Sequence, residues 1–188
     1  MRLFVALNLP AAVRQAAWAA VEPLRAAAPS GVTWVREDAL HVTLRFLDDR
    51  SPEFAADLAS RLTGALTRAA LPRVELATVG AFPDLRRPRV LWLGGPTNSA
   101  LTELYHHVEH SCSALGVEAE PRPFRLHVTI GRVRQGARVD VGALVRAASQ
   151  VAIRAAFSAA TVDVMESELG PAGPHYRVVA AVPIGPRG

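Results

Sequence analysis

Two stretches of the chain carry the same run of reactive and anchoring residues. His41-Val42-Thr43-Leu44 recurs as His127-Val128-Thr129-Ile130, 86 residues further on. Side chains alternate between the faces of a β-strand, so each histidine shares a face with its threonine, about 7 Å apart. The valine and the aliphatic residue take the opposite face, where burial would anchor the strand. An imidazole titrates near neutral pH and can take or give a proton. A hydroxyl beside it can donate a hydrogen bond to an anion. Two imidazoles and two hydroxyls on one cleft would flank a single phosphate. One ring would accept the proton of an attacking water or hydroxyl, and the other would protonate the departing oxygen. Threonine hydroxyls and a nearby arginine would stabilise charge building on phosphorus, so this chemistry calls for no metal and no other cofactor. A lone His-x-Thr carries little weight. Two copies near half-chain spacing are the signature of an internal duplication, with two lobes each giving one strand.

The arginines beside these motifs are the next candidates. Alternation puts Arg45 on the face of His41, where it could contact phosphate, and sends Phe46 into the core. Arg132 falls on the face opposite His127 unless a bulge near Gly131 re-aims it; it is the second candidate. Two further basic clusters, Arg86-Arg87-Pro88-Arg89 and Arg122-Pro123-Phe124-Arg125, read as loops. They are solvated surface or, in the sharper reading, a salt-sensitive track for an RNA strand. Trp34 and Tyr176 are either buried or available to stack a base. His106 and His110 lie one helical turn apart beside Glu109, a spacing that can hold a metal, but no third ligand stands in a recognisable place. They read as a solvated helix face, His175 as a turn residue and Cys112 as a small packed one.

Composition fits this picture without dictating it. The chain has 188 residues, half of them apolar and a fifth charged, enough for a core without staples. Net charge is +4, and all 21 basic residues are arginine. The planar guanidinium suits bidentate contact with phosphate, so an anionic partner is compatible with the composition. One cysteine allows no disulfide framework within the chain, and a reducing cytoplasm is the simple inference. Asn8 and Pro10 interrupt the first apolar run, which therefore reads as a buried strand rather than a signal peptide. No apolar run approaches the ~20 residues of a membrane span.

The elements that would position the motifs alternate long helices with strands. Strands are expected at about 3–7, 32–35, 39–46, 73–82, 90–95 and 125–133. Helices are expected at about 11–27, 51–69 and 97–116, with a short one at 140–150. Ser51, Pro52 and Glu53 form a helix start, and Gly116 a stop. Two closing strands flank the turn Gly170-Pro171-Ala172-Gly173-Pro174. Strand–strand neighbours among helices argue for α+β or α/β with antiparallel pairing, not a pure parallel sheet.

Taken with the residues around them, the paired motifs resemble the two-histidine phosphoesterases. Within these they resemble the RNA 2′,3′-cyclic phosphodiesterases, also called 2′-5′ RNA ligases. The matching stretches run in order along nearly the whole chain: RLFVALNLP, Trp34 before LHVTLRFLD, VGAFPDLRRPRVLWLG, HVTIGR and ESELGPAGPHYRVV. Asp48 stands where the family often has glycine, and Leu126 where it often has proline. The resemblance implies an α+β, two-lobed, pseudo-symmetric fold, residues 1–188 as one domain, with antiparallel sheets lining a central cleft and helices outside. It implies metal-independent hydrolysis of a terminal 2′,3′-cyclic phosphate on RNA to a 2′-phosphate, with 2′-5′ ligase activity secondary. His41 would be the acid toward the departing 3′ oxygen and His127 the base. Thr43 and Thr129 would hold the non-bridging oxygens, and Arg132 ends the second motif as the family pattern has it. The implied partners are RNA ends bearing the cyclic phosphate, tRNA fragments among them, met by a cytoplasmic monomer with no membrane or metal. The alternatives are a non-catalytic RNA-binding module and a sibling esterase acting on small cyclic nucleotides.

Overall fold

A computed structural model describes residues 1–170 and 173–186. Among these described residues ten strands and five helices follow one another: β1 (Arg2–Asn8), α1 (Ala11–Ala20), α2 (Glu22–Ala27), β2 (Val32–Trp34), β3 (His41–Asp49), α3 (Pro52–Leu66), β4 (Arg73–Leu76), β5 (Thr78–Phe82), β6 (Val90–Gly94), α4 (Ser99–Ser113), β7 (His127–Val133), α5 (Val141–Ala148), β8 (Ala155–Ser158), β9 (Thr161–Gly170) and β10 (Gly173–Pro183). The mixed α and β composition with antiparallel pairing is the expected class. The turn expected at residues 170–174 includes Pro171 and Ala172, which lie outside the described residues.

Local chemistry explains most boundaries. Ser51 accepts a hydrogen bond from the Phe54 amide at 3.2 Å and Asn98 one from Leu101 at 2.9 Å, capping α3 and α4. Gly116 adopts φ 77° just past α4, the left-handed stop the sequence proposes. The single helix expected over 11–27 is instead two, because Pro23 cannot supply an amide to a continuous ladder and starts α2 afresh. The strand expected over 73–82 divides as well. Its first half pairs β8 in a two-stranded sheet, and its second half pairs β6 in the main one.

The main sheet runs β10-β9-β1-β3-β7-β6-β5, with β2 also on β7, all antiparallel. One half holds β3 beside β1, β9 and β10; the other holds β7 beside β6, β5 and β2. The halves join through a single residue pair, Val42 opposite Val128. Both valines are fully buried. On this buried face α3 packs against β10 and α4, and α4 against β3.

The two motif strands share an irregularity that alternation alone could not supply. Val5 faces Arg45 and Ala6 faces Thr43, so Leu44 is an extra residue in β3. Leu91 faces Gly131 and Trp92 faces Thr129, so Ile130 is an extra residue in β7. A bulge of this kind resets which face each later side chain takes. Beyond it Arg45 is buried at 8% exposure while Phe46 is 59% exposed. Both sequence expectations for these two residues are thereby reversed: Arg45 leaves the face of His41, and Phe46 joins it. A second extra residue, Leu47, precedes Asp48, whose φ of 57° explains why glycine suits that position.

Arg45 fills its new place as a tie. Its Nε lies 3.2 Å from Glu109 Oε1 on α4, its Nη1 lies 3.4 Å from Glu120 Oε2, and its Nη2 donates to the Glu118 carbonyl. The first motif is thus fastened to the segment that leads into the second. In β7 the corresponding slot belongs to Gly131, because a Cβ there would come within 2.9 Å of the Trp34 ring. Removing one partner of a buried ion pair strands the others. Arg45→Ala should therefore cost about 3 kcal/mol of unfolding free energy, the lower end of the usual range because Glu120 keeps some solvent contact. Urea denaturation measures it, and a loss below about 1 kcal/mol would remove this tie from the account.

Candidate active site

Pairing at Val42 and Val128 sends the flanking residues of both strands to the other side of the sheet together. Antiparallel register then sets Thr43 toward His127 and Thr129 toward His41. The four residues that the sequence singles out share one face, all half-buried. Phe46 and Arg132 project onto the same face at equivalent positions of the two strands, so the duplicated frame carries one aromatic ring and one guanidinium.

The two imidazoles are held alike. Nδ1 of His41 lies 2.8 Å from the Ala39 carbonyl, and Nδ1 of His127 lies 2.8 Å from the Arg125 carbonyl. A carbonyl only accepts, so Nδ1 carries a proton in both rings. Each neutral ring then leaves Nε2 bare as a base, and each protonated ring offers Nε2–H as an acid. Aromatic walls fix the ring planes. Tyr176 meets His41 edge-on at 5.2 Å, Phe4 lies 5.0 Å from His41, and Phe82 meets His127 edge-on at 5.1 Å. Asn8, opposite His41 in the sheet, donates to the buried Asp163 carboxylate at 2.6 Å and ties β1 to β9 beside His41.

Both histidines are pushed below their ordinary pKa. For His41 burial does most, opposed by the Ala39 carbonyl bond and reinforced by the charges of His127 and Arg132. For His127 burial again leads, opposed by the Arg125 carbonyl and reinforced by Arg132 and Arg125. Arg132 therefore sits close enough to act on both rings, and it also acts on the Tyr176 hydroxyl, whose pKa burial raises. The bulge at Ile130 is what brings it there. The charge of each ring disfavours a second proton on the pair.

The model of the LigT like Phosphoesterase family matches residues 7–92 and 95–176. The chain belongs to this family. An RNA 2′,3′-cyclic phosphodiesterase of Archaeoglobus fulgidus is 30% identical over 94% of this chain and 97% of its own length. One from Geobacillus stearothermophilus is 32% identical over 81% of this chain, a match that spans about half (48%) of that longer protein. Among solved structures, a protein of Thermus thermophilus aligns with TM-score 0.77 and 27% identity over 98% of each chain. Escherichia coli LigT complexed with 3′-AMP shares the fold, at TM-score 0.75 and 24% identity over 97% of each chain.

For the other candidates of this LigT-like phosphoesterase the structure chooses between the readings that the sequence leaves open. Trp34 lies over Gly131 on the core side, its Nε1 donating to the Ala28 carbonyl at 3.2 Å, and takes no part in the cleft. Tyr176 does line it. Arg125 stands over the Phe82 and Trp92 rings, 5.3 and 5.7 Å from their centroids, beside His127. Arg122 is exposed and paired to Glu120 at 2.7 Å. Arg86, Arg87 and Arg89 are exposed at the β5–β6 hairpin, where Asp84 accepts from the Arg86 and Arg87 amides. On α4, Glu109 is engaged by Arg45, and among the described residues no group of three His, Cys, Asp or Glu is arranged to hold a metal. Phe4, Phe46, Phe82 and Trp92 were not singled out from sequence for the site; only Phe46 lies within a motif strand, and the others are brought there by strand pairing.

The electrostatics give a direct test. In ¹H–¹⁵N spectra both rings should titrate below pH 6.5. His127→Gln should raise the His41 midpoint, because a repelling charge is removed, yet leave it below 6.5 because burial persists. A His41 midpoint that does not move would separate the two rings.

Proposed function

We propose that the chain opens the 2′,3′-cyclic phosphate at an RNA end to a 2′-phosphate, using His41 and His127 as its acid and base and no metal. The observation that carries this reading is the meeting of the two His-x-Thr strands at one residue pair, with both Nε2 atoms left uncommitted on a shared face. The names of its relatives supply the reaction class, RNA 2′,3′-cyclic phosphodiester hydrolysis. In this reading His127 Nε2 takes a proton from water as the oxygen attacks phosphorus. His41 Nε2–H gives a proton to the 3′ oxygen as the P–O3′ bond breaks. Thr43 and Thr129 donate to the non-bridging oxygens, and Arg132 offsets the negative charge that grows there. Phe46, Phe4 and Tyr176 form an aromatic wall on the His41 side, suited to the nucleoside that bears the leaving oxygen. Both imidazoles come from one chain and both halves share one sheet, which supports residues 1–188 working as one two-lobed domain and as a monomer.

Phosphorus NMR of a dinucleotide ending in a 2′,3′-cyclic phosphate, in excess EDTA, should show conversion to the 2′-phosphomonoester. Turnover lost in chelator and restored by zinc would overturn the metal-free route. Efficient turnover of a mononucleotide cyclic phosphate with none of the dinucleotide would move the substrate to small cyclic nucleotides. His41→Ala and His127→Ala should each lose roughly 10²–10⁴ in kcat with the fold intact. Binding of the RNA without any turnover would leave a binding module.

The pH dependence follows from the lowered histidines. The kcat/KM profile should be bell-shaped with both limbs below 6.5, since it reports the free enzyme. The kcat profile should lie higher, because a bound phosphate favours protonated imidazoles. A kcat/KM limb above pH 7 would contradict the burial that sets these values.

A further inference from the structure

The two Nδ1–carbonyl bonds are alike, but their carbonyls are placed by different means. The one that holds His41 belongs to a 3₁₀ turn over Glu37–Ala39. There the Ala39 amide donates to the Arg36 carbonyl at 3.0 Å and the Leu40 amide to the Glu37 carbonyl at 3.2 Å. The one that holds His127 comes from a segment without such a frame. Residues 117–126 form neither helix nor strand, and among the described residues no backbone–backbone hydrogen bond outside the ladders involves residues 118–125. Leu126 is buried, which fixes the far side of the Arg125–Leu126 peptide. The direction of the Arg125 carbonyl then depends on how the chain enters that peptide.

Side chains supply the missing frame, and they converge on Arg45. Its guanidinium donates to the Glu118 carbonyl and pairs with Glu120, both on this segment. It also pairs with Glu109 of α4, whose other oxygen accepts from the Glu120 amide at 3.2 Å. Phe124 then stacks on Tyr105 of α4 at 4.7 Å, one residue before Arg125. We propose that Arg45 is a positioning residue for His127: by holding residues 118–120 it aims the Arg125 carbonyl at Nδ1 and so keeps Nε2 of that ring bare. A residue of the first motif strand thereby sets the tautomer of the second motif's histidine. The catalytic consequence rests on the base role given above to His127, since a ring with its proton on Nε2 cannot take one from water there. The tautomer itself does not rest on that role.

Nitrogen-15 spectra of the neutral rings read the tautomer directly. In the native chain both histidines should carry the proton on Nδ1. In Arg45→Met, which keeps an apolar stem and removes the ties, His127 should lose that preference and carry part of its proton on Nε2, while His41 keeps its own. On the dinucleotide cyclic phosphate kcat should fall roughly 10- to 100-fold, the range seen when a group that orients a histidine from behind is lost. KM should change little, because bound phosphate still meets His41, both threonines and Arg132. Glu120→Ala, at the half-buried end of the network, should shift His127 the same way to a smaller degree, and it decides the matter if Arg45→Met does not fold. Leu144→Ala, a core truncation in α5, should lower stability without moving either tautomer. His127 holding its proton on Nδ1 in the folded Arg45 and Glu120 variants would overturn the proposal. So would both rings changing together, since that is general loosening. Absence of dinucleotide hydrolysis by native protein would sink the catalytic reading instead, and the tautomers would still decide what Arg45 does.

Discussion

The site depends on one backbone contact, the antiparallel pairing of Val42 with Val128. Each valine is buried, so each strand has one face committed to the core. Because the two valines sit directly opposite, their committed faces coincide. The uncommitted faces must then coincide too, and these hold His41, Thr43, His127 and Thr129. A slip of one residue in either strand would put a histidine into the core and a valine into the cleft. Burial of apolar surface on one side thus fixes the chemistry on the other, and no polar contact between the two motifs is needed to bring them together.

The bulges at Leu44 and Ile130 complete the arrangement. Each changes the phase of its strand after the threonine, so the sixth residue of each motif regains the histidine face. The fifth is turned into the body of the protein. The duplicated frame therefore offers two equivalent buried slots and two equivalent cleft positions, and the sequence fills them unequally. Arg45, tied to Glu109 and Glu120, fills one buried slot, while Gly131 leaves the other to the Trp34 ring. Phe46 takes one cleft position and Arg132 the other. A symmetric backbone thus yields an asymmetric cleft, aromatic near His41 and cationic between the rings.

That asymmetry suits a reaction with two unlike sides. Identical Nδ1 bonds to backbone carbonyls leave both rings able to play either part. Their surroundings then separate them: His41 lies against Phe4 and Tyr176, and His127 against Phe82 with Arg125 beyond it. Burial and Arg132 lower both pKa values, and mutual repulsion disfavours two protons at once.

Much of this was legible in the chain itself. The repeated His-x-Thr, its period-two face pattern, the helix starts at Ser51 and the stop at Gly116 all follow from local stereochemistry, which acts over a few residues. So did the need for a common cleft, since one His-x-Thr alone does little. Arg45 and Phe46 were misplaced because strict alternation assumes an unbroken ladder, and a bulge is recorded only in the partner strand's register. Splitting of the 73–82 strand between two sheets was likewise invisible, because each half is chosen by its neighbour. The sequence determined which residues could do the chemistry and which faces they share within a strand. Only the tertiary structure decided which strands meet, where each ladder gains a residue, and hence that Arg132 faces the histidines while Arg45 does not, because register is a property of two segments and neither carries it alone.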